Sequence, residues 1–169
     1  RDSKGLFGNP DMSVQIGSTA DAARAHQELY AYWRGARSQG RAPSRCDIHP
    51  AGFRRLLPNV SLLDFDSATG DFRVRLAGTG LRDLFGREIT GKRLEEVYGE
   101  EGAAYWRGEL NGLMQTLRPA AGCHSLAWRG GSRMTVLWIR LPLVDEDGGL
   151  AMILGYDAPV ELAPSAAAA

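Results

Sequence analysis

Lysine is nearly missing from this chain of 169 residues: Lys4 and Lys92 stand against 18 arginines. Net charge is missing as well, because Lys+Arg and Asp+Glu each number 20 and the pI is near 7. A balanced chain lacks the basic surplus that a general binder of nucleic acid or anionic membrane needs. Cys46 and Cys123 are too few for a disulfide framework, and no stretch has the length and apolarity of a signal or stop-transfer segment. Histidine is equally sparse. His26, His49 and His124 are far apart, and none sits at metal-ligand spacing from another His or Cys. No glycine-rich phosphate loop is present, since Gly78-Thr79-Gly80 departs from the dinucleotide pattern and no lysine follows it. His124 has Cys123 as neighbour, but adjacent strand residues point to opposite faces and do not make a dyad. Nucleophilic, metal-assisted and phosphate chemistries all lose their residues, so the chain is not expected to be an enzyme.

What is present is the makeup of one globular domain, with 44% hydrophobic and 24% charged residues. Residues 1–18 lack helical or strand period and are expected to form a flexible lead, and 159–169 a disordered tail. Thr19 and Asp21 can cap a helix from Ala22 to about Arg37, whose apolar stripe is Ala22, Ala25, Leu29, Tyr32, Trp33 and Ala36. A short helix, GFRRLL, follows Pro50 and ends at Pro58, completing a helix-and-linker unit over 19–58. VSLLDFD (60–66) and DFRVRLAG (71–78) form a hairpin in which Phe72, Val74 and Leu76 are expected to share one face. Residues 79–98 read as short helical pieces broken by Gly80, Gly86 and Gly91, and 100–117 as a longer helix. Strands at 123–128, 132–144 and 150–157 finish a core unit over 59–158. Helices, two strands, helices and three strands in that order give an α+β domain with helices on one face of the sheet.

Several spaced motifs resemble one family. Tyr32-Trp33-Arg34, then Pro43, Ser44, Arg45, Asp47, Ile48 and Pro50, are similar to the opening of the PAS_5 subfamily of bacterial PAS domains. LLPNVSLLD (56–64), FRVRLAGT (72–79), LFGREITG (84–91) and Leu141-Pro142-Leu143 fit the same pattern, so the resemblance spans about 29–157. It implies a PAS fold: a five-stranded antiparallel sheet, helices on one face forming a lid over a cavity, and an additional amphipathic helix at the N-terminus. It also implies a sensory or regulatory module in the cytoplasm. With no output domain expected within the chain, that module would signal by protein contact. Flavin-binding relatives carry a cysteine motif in the helical middle and haem-binding relatives an axial histidine on the long helix. Residues 79–98 hold no cysteine and 100–117 no histidine, so no cofactor is expected, and the ligand is an unknown small molecule.

Phe72, Val74, Leu76, Phe85, Trp106, Leu110, Leu137, Ile139 and Ile153 are the expected apolar lining. Arg82, Arg87, Tyr98, Tyr105 and Trp128 are the candidates for polar contacts. An arginine reaching inward would favour a carboxylate. If these apolar residues fill the core instead, the domain is a protein-interaction adaptor without a ligand. Seven arginines between Arg24 and Arg55 face only Glu28 and Asp47. Leu29, Tyr32, Trp33, Arg34, Arg37 and Arg41 therefore form the expected partner surface, for a signalling protein or for a homodimer through the N-terminal helix.

Overall fold

The apolar stripe of the first helix decides how the domain is layered. In the computed structural model, which describes residues 14–127 and 131–162, helix α1 spans Thr19–Gly35. Its N-cap is Ser18, one residue ahead of the expected cap, whose hydroxyl accepts from the Asp21 amide at 3.1 Å. Strands β1 (Val60–Asp66), β2 (Asp71–Ala77), β3 (Ala120–Ala127), β4 (Arg133–Val144) and β5 (Leu150–Val160) form one antiparallel sheet in the order β2-β1-β5-β4-β3. Helices α2 (Thr79–Phe85) and α3 (Leu94–Thr116) cover one face, as the chain order predicts. Helix α1 lies on the other face with a 3-10 segment, Pro50–Asn59.

Covering both faces explains the near-continuous apolar run of β4. Alternate residues Met134, Val136 and Trp138 pack toward α3, while Ile139, Leu141 and Leu143 pack toward α1. Leu29 and Trp33 are 0% and 2% exposed, and Trp33 Nε1 donates to the Pro142 carbonyl at 2.8 Å. Burial of one such aromatic is worth about 3 kcal/mol. The stripe is therefore satisfied within the chain, and Leu29 and Trp33 are not available to a partner while α1 stays seated. Tyr32 is half-buried, its hydroxyl bridging the backbone amide and carbonyl of His49. Arg34, Arg37 and Arg41 do lie exposed; Arg37 sits over the Trp33 ring and Arg41 reaches the Glu146 carbonyl.

Several boundaries differ from the sequence reading, the third strand starting at Ala120 and two others shifting further. The last strand runs on through Pro159 and Val160, which are buried, and Val160 bridges back to Gly17, so the ordered domain includes both. The long helix starts at Leu94, with a break at Gly99 (φ 74°, ψ 177°), a conformation that glycine tolerates and other residues resist. The rest of the expected lead (1–13) and tail (163–169) lies outside the described residues, as does Trp128.

Candidate functional site

Between the sheet and the α2/α3 layer the inner-facing side chains leave a cavity. The apolar part of its wall is Leu63, Val74, Leu81, Phe85, Ile89, Leu94, Trp106 and Leu110. Ser61, Tyr98, Arg140 and Asp157 are its polar members. Its free interior is small, close to the least space a single water requires.

Of the expected lining, Val74, Phe85, Trp106 and Leu110 stand at the cavity. Phe72 and Ile153 are buried in the same core layer. Leu76 does not join them. Leu62 pairs with Leu76 and Leu63 with Val74, so Arg75 is an extra residue, a β-bulge that reverses the alternation beyond it. Leu76 therefore turns outward and is 51% exposed. Leu137 and Ile139 also depart from the expected lining: they face α1, and the inward residues of β4 are Val136, Trp138 and Arg140. Among the polar candidates, Arg82 is exposed, and Arg87 is spent on the carbonyls of Glu96 and Val97. Tyr105 stands 39% exposed at the rim and accepts a hydrogen bond from Trp138 Nε1 at 3.3 Å.

The arginine that reaches inward is Arg140. Its side chain is 3% exposed and that of Asp157 is 5%, with Nη2 donating to Oδ1 at 2.9 Å. Nη1 donates to the carbonyls of Ile139 and Tyr156, and the guanidinium carbon sits 4.4 Å from the Trp106 ring centroid. Nε is buried without a hydrogen-bond partner. Space for this group comes from Gly155, where a Cβ would fall 2.7 Å from Ser61 Oγ and 3.0 Å from Arg140 Nη1. Burial opposes the charge on Arg140, but the Asp157 carboxylate and the Tyr98 hydroxyl outweigh it and hold the guanidinium above its ordinary pKa. Burial, with help from Asp157, pushes the Tyr98 phenol well above its usual range, so it stays protonated. His124 completes an aromatic wall, its ring 5.2 Å from that of Trp106, and burial depresses its pKa. Cys123, its neighbour, is exposed on the opposite face, as strand geometry requires.

Sequence reasoning missed Arg140 and Asp157. The available signal was a charge in phase with Met134, Val136 and Trp138. Among the described residues no group of three His, Cys, Asp or Glu could hold a metal, and no helix is long and apolar enough to cross a membrane.

A broken helical layer over a largely apolar cavity, set on an open antiparallel sheet, defines one class of α+β domain. The PAS domain family matches residues 22–157, and the chain belongs to that family. Among solved structures, a light-oxygen-voltage domain studied with a flavin analogue is similar at a TM-score of 0.52 and 16% identity, covering 66% of this chain and 83% of that one. VqmA bound to DPO matches at 0.52 and 14%, covering 67% and 57%. An RNA-binding light-oxygen-voltage receptor matches at 0.50 and 15%, covering 73% and 35%. At these identities the likeness concerns the fold. No curated protein matches.

Proposed function

We propose that this PAS domain is a sensory or regulatory module that takes a small organic ligand into the cavity at Arg140 and passes the bound state on by protein contact. The observation that carries this reading is a buried arginine, paired to Asp157 but with Nε unpartnered, in the wall of an otherwise apolar cavity. A core evolved only for packing gains little from such a pair, because desolvating two ions offsets most of their attraction. Asn59, at the end of the 3-10 segment, donates to the Asp157 carbonyl at 2.8 Å, and that segment packs under α1. A shift at Asp157 thereby reaches the outer layer, where Arg34 and Arg37 are exposed to a partner.

The small free space favours a ligand smaller than a flavin, and neither cysteine lines the cavity. The adaptor reading draws its support from the small free volume. Native mass spectrometry of freshly purified protein separates the two. A retained small molecule supports sensing; a bare chain that takes up nothing from a metabolite extract supports the adaptor.

A further inference from the structure

We infer that the ligand of this cavity is a small uncharged planar molecule carrying a hydrogen-bond acceptor beside a donor, as in a lactam or amide, and not a carboxylate. The inference rests on the proposal that the cavity binds a ligand and goes on to its chemical class. Arg140 is the cation in the cavity wall and Asp157 the anion, so the ion pair leaves the site electrically neutral. A carboxylate bound there would meet Asp157 at short range in a poorly solvated space, where like charges repel strongly. To bind the guanidinium in bidentate fashion it would also have to displace Asp157 from Nη2, leaving a buried carboxylate without its partner.

The Tyr98 hydroxyl also meets the guanidinium, yet one buried N–H still lacks an acceptor. Nε of Arg140 is buried with no partner, and the two Nη groups are already engaged with Asp157 and two backbone carbonyls. A carbonyl oxygen aimed at Nε–H would satisfy it. A donor alongside would then face the Asp157 carboxylate, which shares the same wall. Flatness follows from the neighbours: the Trp106 ring lies against the guanidinium, and apart from Ser61 and Asp157 the remaining wall is aliphatic or aromatic. The closed cavity holds about one water, so a ring-sized ligand needs the lid to move outward for its volume as well as for its entry. Phe85 is half-buried at the end of α2, and Gly86, in the left-handed region at φ 68°, closes that helix.

Three ring-sized probes separate the alternatives: 2-pyridone (neutral, C=O beside N–H), benzoate (anionic) and benzene (apolar). Each is titrated into the full chain while the indole N–H signals of Trp106 and Trp138 are followed by NMR. The expected result is that 2-pyridone moves both signals at a concentration about tenfold or more below benzoate and benzene, the ratio expected for satisfying one buried donor. Arg140→Lys keeps a cation for Asp157 but removes Nε–H and the planar fork. In that variant 2-pyridone is expected to fall to the level of benzene. The ranking in the wild-type chain stands as a test even where the variant does not fold. Benzoate or benzene matching 2-pyridone overturns the ligand class and leaves cavity binding intact. Silence of both indoles toward all three probes overturns cavity binding itself, and the ligand class with it.

Discussion

Replacing Asp157 with Asn changes one oxygen for one nitrogen, yet it should be among the most damaging conservative substitutions in the chain. Both partners of the pair are almost fully excluded from solvent, at 3% and 5% side-chain exposure. The guanidinium cannot lose its proton at any accessible pH, so without the carboxylate a full charge stays buried. Breaking such a pair by removing one member costs about 3–5 kcal/mol. Asparagine retains one acceptor toward Nη2, which places the expected loss near 3 kcal/mol. For a domain of this size that lowers Tm by roughly 6–12 °C. Urea unfolding followed by tryptophan fluorescence measures it, with a lower midpoint and an unchanged slope expected. Removing both charges, as Arg140→Met with Asp157→Leu, should restore most of the loss, because an apolar pair has no buried charge to compensate. A loss below about 1 kcal/mol for Asp157→Asn would mean that water reaches the guanidinium, and the argument from a dry site would fail.

Other consequences are local. Gly155→Ala puts a methyl against Ser61 Oγ and Arg140 Nη1, and should cost about 1–3 kcal/mol in the same unfolding assay while loosening the Arg140–Asp157 contact. The bulge at Arg75 predicts unequal effects within one strand: Phe72→Ala should cost about 3–5 kcal/mol, and Leu76→Ala no more than about 0.5 kcal/mol. His26 and His124 both have pKa values depressed first by burial, so on acidification the unfolded chain takes up protons before the folded one does. Stability should therefore fall as the pH drops below about 6.5, the unfolded value, and His124→Gln should flatten that dependence in thermal melts read across the range.

Strand periods, the proline stops and the glycine breaks made the order of elements readable from residues alone, and the first strand falls at Val60–Asp66 in both readings. Phase was harder. In β4 both faces are buried, so hydrophobicity no longer distinguishes inside from outside, and Leu137 and Ile139 face the layer opposite to the expected one. The bulge left no compositional mark either: Arg75 is one of two arginines that looked like a clean alternation, and Leu76 was carried to the wrong face with it. Trp33 illustrates the converse. Its stripe showed that something must cover it, but only the sheet's tertiary position reveals that the cover is Pro142 and Leu141 rather than a second chain. Arg140 and Asp157 were hidden for a related reason, since a lone charge in a strand usually signals the solvent face. Their 17-residue separation becomes a contact only through the β4–β5 pairing of Trp138 with Asp157.

Native mass spectrometry of the wild-type chain beside Arg140→Lys tests whether a small molecule binds against Arg140. After incubation with a metabolite extract, the wild-type chain should carry a small-molecule adduct that the folded variant has lost. An adduct retained equally by both, or absent from both, would contradict that binding.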